Sequence, residues 1–167
     1  MKATKWKSYS LALIAGMSVL TACSSDDNND NGGNGNNGNG TTLKGTITSD
    51  VTLTAGSTYK LSGEYIVEDG ATLNIEAGVK IISIYDDIVD YILVKQGGKI
   101  NAVGTSSAPI VMTSEKEEPG AWGGIHICGK AHTNAEGGKG SSEIGGATYG
   151  GNDDADNSGT LKYVRVE

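Results

Sequence analysis

A chain of 167 residues is long enough for one domain with accessory segments, and this one uses 26 glycines, two prolines and no phenylalanine. Its formal charge of −7, with Arg165 as the one arginine, argues against nucleic acid as a partner, because phosphate binding needs clustered lysine and arginine. Beyond the first twenty residues no window carries the apolar face of a long amphipathic helix, so short strands joined by tight turns are expected.

The chain opens with Lys2, Lys5 and Lys7, followed by a short apolar run over Leu11–Leu20. These are the n-region and h-region of a secretory signal, too short to span a bilayer as a stable helix. Leu20-Thr21-Ala22-Cys23 resembles the bacterial lipobox. That resemblance implies cleavage after residue 22, with Cys23 acylated on its thiol and its new amino group. Three acyl chains exceed what stable anchoring needs, at roughly 0.8 kcal/mol per buried methylene. An ordinary secretory signal with an incidental cysteine is the competing reading. Loss of the three lysines would take the charge from −7 to −10.

Ser24–Asp30 is acidic, and its position resembles the surface-export signal of Bacteroidota lipoproteins; a merely solvated spacer is the alternative. The glycine- and asparagine-rich tract to Gly40 offers nothing apolar to bury and reads as a disordered tether. Over Ser24–Thr42 such a coil spans about 25 Å. The expected organisation is a signal peptide over 1–22, a lipidated cysteine and linker over 23–42, and a folded domain over 43–167.

Within the folded part a local pattern recurs. Leu53-x-x-Gly56-x-x-Tyr59-x-Leu61 is followed by Val67-x-x-Gly70-x-x-Leu73-x-Ile75 and by Val94-x-x-Gly97-x-x-Ile100-x-Ala102. Each copy reads as a strand, a turn that needs glycine, and a strand with alternating faces. A constant local pattern at unequal spacing suits a solenoid whose loops vary in length, and leaves an antiparallel sandwich open. The stretches YIVEDGATLNIEAGVKI, GGKINAVGTSSAPIVMTS, WGGIHICGKAHTN and GGNDDADNSGTLKYVRVE resemble successive segments of right-handed parallel β-helix lipoproteins from Bacteroidota. The resemblance implies an all-β, right-handed parallel β-helix with an internal aliphatic column. Ile66, Leu73, Ile75, Ile81, Leu93, Ile100, Ile110, Ile125, Ile127, Leu161 and Val164 are expected to form it. Members of that group are usually longer, so a chain stopping inside a strand at Val166-Glu167 is either a short version or a fragment, and the N-terminal part of a larger protein is the expectation.

Three places carry residues suited to chemistry. Tyr85-Asp86-Asp87-Ile88-Val89-Asp90-Tyr91 sets three carboxylates beside two aromatic rings, which suits stacking on a sugar. A resemblance to β-helix polysaccharide lyases, whose carboxylates hold calcium against a uronate, would give Asp86, Asp87 and Asp90 that role instead. An exposed loop between coils is the plainer reading. Asp154-x-Asp156-x-Ser158-Gly159 matches the first half of a calcium loop, but the position where a closing glutamate belongs is Arg165. His126, Cys128 and His132 supply three potential zinc ligands, one short of a closed site, and the shared strand parity of His126 and Cys128 aims both outward. Cys128 otherwise reads as a small buried apolar residue, and a disulfide with Cys23 is not excluded. Trp122-Gly123-Gly124 is expected to seat one coil, and Thr105–Pro109 to form a turn. No serine–histidine–aspartate arrangement can be argued from linear spacing. The expected function is a lipid-anchored outer-membrane module facing the cell exterior, binding a polysaccharide or another envelope protein, without a required cofactor unless calcium. A carbohydrate-active enzyme of the lyase or hydrolase kind is the runner-up.

Overall fold

The structure is a computed structural model and describes residues 42–167. The signal sequence read in 1–22, Cys23 and the linker up to residue 41 lie outside the described residues. Thr42, expected to end the linker, opens the first strand.

Thirteen strands follow in order: β1 (Thr42–Ile47), β2 (Val51–Leu53), β3 (Thr58–Val67), β4 (Thr72–Ile75), β5 (Lys80–Ser83), β6 (Tyr91–Val94), β7 (Lys99–Val103), β8 (Ile110–Ser114), β9 (Ile125–Ile127), β10 (Gly140–Ser141), β11 (Thr148–Tyr149), β12 (Gly159–Lys162) and β13 (Val164–Val166). The pairing is parallel everywhere except in the β10–β11 hairpin. One sheet runs β2-β4-β7-β12. The other holds two stacks joined through the long β3: its first half continues into β5, β8 and β13, its second half into β6 and β9. Each coil therefore contributes one strand to each of three stacks, as β4, β5, β6 and then β7, β8, β9. The chain is a parallel β-helix, and the antiparallel sandwich is ruled out by the ladder.

Coil length explains the unequal glycine spacing. Leu73 pairs with Ile100, 27 residues on, and Val51 with Leu73, 22 residues on. Gly70 and Gly97 occupy equivalent corners, and the Gly70 amide donates to the Gly97 carbonyl at 3.1 Å. Gly56 belongs to a different corner, where it stacks on Gly78. All four glycines have left-handed φ, between 69° and 87°, a region that β-carbons disfavour. The recurring pattern thus marks two corners of one coil.

Alternation along each strand sends Leu53, Leu73, Ile75, Ile100 and Ala102 inward from one sheet, and Tyr59, Leu61, Ile81, Ile110 and Met112 inward from a second stack. Tyr65, Val67, Ile92 and Val94 close the third side. Burial, and then its neighbour Tyr59, push the Tyr65 phenol up to about 12. Each fully buried aliphatic side chain contributes about 1.5–3 kcal/mol of transfer free energy.

Several of the expected column residues sit elsewhere. Ile66 and Leu93 are buried, but on the outer face of the sheet, in a second cluster with Tyr91, Cys128 and Ala147. Their parity is opposite to that of Val67 and Val94, which take the column instead. Ile127 pairs with Val94, and Leu161 with Ala102, so both follow inward positions, yet they are 41% and 49% exposed. β9 and β12 are the outermost rungs of their stacks among the described residues, and no strand lies beyond them. Ile125 and Val164 pack against the column while only partly buried. Trp122 also packs there, and its indole N–H donates to the Glu167 carbonyl at 3.0 Å.

Candidate functional site

The loop between β5 and β6 divides into an exposed and a buried part. Tyr85, Ile88 and Val89 are 58%, 62% and 60% exposed, an unusual density of apolar surface for a corner of the coil. Asp86 accepts from the Ile88 amide at 2.8 Å, which fixes the turn, and Asp87 is also exposed. The Lys116 ammonium lies 4.6 Å from the centre of the Tyr85 ring. Hydrogen bonds to Glu118 and to the Tyr85 hydroxyl raise the Lys116 pKa. Glu115, ion-paired with Lys60, accepts from the Tyr85 amide at 3.4 Å and is held below its ordinary value, chiefly by Lys60.

Asp90 and Tyr91 do not join that surface. Asp90 is buried, accepting from the Gly63 amide at 2.5 Å and from the Ser83 hydroxyl at 2.7 Å. Tyr91 lies under the outer-face cluster and donates its hydroxyl to Glu64 at 2.9 Å. Burial first, then the hydrogen bond and charge of Glu64, push its pKa up. The five residues read together in the sequence thus reduce to Tyr85, Asp86 and Asp87 as an exposed set, backed by a buried Asp90.

Residues 128–158 form an insertion between β9 and β12 that folds back over the outer face of β6 and β9. Ile144, Ala147 and Tyr149 cover Ile66, Leu93 and Cys128. The Gln96 side-chain amide donates to the carbonyls of both Gly129 and Gly150, at 2.8 Å each, and ties the start of the insertion to Gly150 within it. The outward parity expected for His126 and Cys128 holds, but the insertion roofs them. Cys128 is a free, buried thiol whose pKa burial raises, which suits an inert apolar filler.

The carboxylates of the expected calcium loop turn towards their own chain. Asp156 accepts from the Lys130 amide at 2.8 Å and from Ser158 at 3.4 Å. Asp154 pairs with His132 Nδ1 at 2.6 Å and with the His132 amide at 3.1 Å, contacts that lower its pKa. Among the described residues no three acidic, histidine or cysteine side chains converge as a metal site. Asp154, Asp156 and Ser158 therefore serve as ties between residues 129–132 and the 151–158 loop. The zinc reading of His126, Cys128 and His132 meets the same obstacle, since each faces a different partner.

One arrangement had no signal in the sequence. His126 Nε2 lies 3.0 Å from the Gly123 carbonyl, and His126 Nδ1 lies 3.1 Å from the Ser142 hydroxyl. Sixteen residues and a hairpin strand separate the serine from the histidine. Linear spacing does not reveal such a contact; a serine opening a hairpin opposite an outward-facing strand histidine is the one hint available.

No curated protein and no solved structure matches the chain. A family model described as a pectate-lyase-like β-helix domain matches residues 45–167, nearly all of the described solenoid. The chain belongs to the pectate-lyase-like β-helix domain family.

Proposed function

We propose that this protein is a lipid-anchored module of the outer cell surface that binds polysaccharide, with Cys23 as the acylated residue. The exposed Tyr85 ring beside Asp86 and Asp87, on a corner held by the buried Asp90, carries the reading. An aromatic face packs against the apolar side of a sugar ring while neighbouring carboxylates accept from its hydroxyls. A pectate-lyase-like β-helix is compatible with a polysaccharide-related role, although a fold does not by itself assign an activity.

The test uses cells producing the full chain. Added protease should remove the domain from intact cells, and Cys23→Ser should move the protein out of the membrane fraction. On a glycan panel the protein should retain at least one polysaccharide, and Tyr85→Ala should weaken that retention several-fold, in keeping with about 0.5–1.5 kcal/mol for an aromatic contact. Retention unaffected by Tyr85→Ala would move the binding face elsewhere. The family description favours one further reading, a uronate lyase. That activity would show as an unsaturated product from a uronan, abolished by chelating calcium.

A further inference from the structure

The contact between Ser142 and His126 has the chemistry of a nucleophile with its base. The Gly123 carbonyl can only accept, so its 3.0 Å contact places the proton of the neutral imidazole on Nε2. Nδ1 then carries the lone pair, and it faces the Ser142 hydroxyl at 3.1 Å. A serine, a base within hydrogen-bond reach and a third group fixing the tautomer of that base are the components of nucleophilic acyl transfer. Both side chains are half-buried, which limits competing water without closing the serine off.

The surroundings support the arrangement. The Tyr91 ring stands edge-on to His126, with 6.5 Å between ring centres and 79° between planes, and holds the imidazole from the side. Ser142 is held by its backbone, whose amide donates to the Ala147 carbonyl at 2.8 Å. A β-carbon at Gly145 would stand 3.2 Å from the Tyr91 hydroxyl and 2.7 Å from Leu93, so the glycine keeps the turn close against this wall. Glu143, next to Ser142 in the chain, is exposed and disfavours an anionic substrate.

We propose that Ser142 and His126 form a catalytic dyad that cleaves neutral carboxylic esters. Ser142 Oγ forms a bond to the acyl carbon as its proton passes to His126 Nδ1. The ester C–O bond then breaks, and the leaving alcohol takes that proton. Water next attacks the acyl-serine, giving its proton to Nδ1, and the carboxylic acid departs as Ser142 regains its hydrogen. The assignment depends on neither the lipid anchor nor glycan binding.

The purified full chain would be treated with a fluorophosphonate, which phosphonylates activated serines with loss of fluoride, and examined by intact mass. p-Nitrophenyl acetate hydrolysis would be followed in parallel. A single adduct is expected, mapping by peptide analysis to Ser142, absent from Ser142→Ala, slowed at least tenfold in His126→Asn and unchanged in Ser141→Ala. The wild-type peptide map stands even if a variant folds poorly. No adduct, an adduct on another residue, or labelling and hydrolysis that persist in Ser142→Ala would overturn the dyad.

Discussion

Both carboxylate oxygens of Asp90 are engaged inside the fold, one by the Gly63 amide and one by the Ser83 hydroxyl, while its carbonyl accepts from the Gly123 amide at 2.7 Å. In the sequence this residue is indistinguishable from Asp86 and Asp87, four and three positions earlier in the same acidic loop. The difference lies in what surrounds the side chain after folding. Asp90→Ala leaves the buried Ser83 hydroxyl and the half-buried Gly63 amide without their partner, at about 1–3 kcal/mol for the buried group and less for the other. Asp86→Ala, on the exposed turn, should stay within about 0.5 kcal/mol of the parent. Urea midpoints of the two variants decide the matter, and equal midpoints would mean that Asp90 is not the structural carboxylate of this corner. The Ser142–His126 pair illustrates the same limit. Its partners are joined by a fold-back of the insertion, and residue spacing carries no trace of a fold-back.

Strands were legible wherever alternation fed one column. Leu73 and Ile75 in β4 and Ile81 in β5 follow the period of two and are buried as the pattern requires. Ile66 and Leu93 misled because the end of β3, Tyr65–Val67, and all of β6 are apolar on both faces, and the residues covering the outer face lie far along the chain, at Ile144–Tyr149. A continuous apolar run shows that both faces are covered and says nothing of which face meets the column. The rung at which a strand lies then sets its energetic weight. Leu73→Ala opens a cavity between two neighbouring rungs and should cost about 2–5 kcal/mol. Leu161→Ala, at an equally inward register but on the outermost rung, should change stability by no more than about 0.5 kcal/mol. Chemical denaturation of the isolated domain checks both, and comparable losses would show that Leu161 is covered in solution.

At the scale of the molecule, the stacked coils were legible from local patterns, because each corner repeats its own chemistry. The lengths of the coils were not, since two corners share one pattern and the 128–158 insertion replaces a simple corner. The three intervals between paired positions in the β2-β4-β7-β12 sheet are 22, 27 and 59 residues, from Val51 to Leu73, Ile100 and Gly159. Those intervals have a mechanical consequence for a stacked solenoid under load. Tension applied across the described solenoid loads its terminal rungs first, and their ladders open as zippers while the rungs between them bear little force. Peeling would therefore proceed in discrete slips whose lengths follow the intervals, roughly 70, 90 and 200 Å at about 3.3–3.6 Å per residue. Single-molecule stretching should record that unequal staircase, and one all-or-none rupture would show that the coils fail together. A staircase of this kind would let the domain yield by one coil under shear and wind back when the pull relaxes.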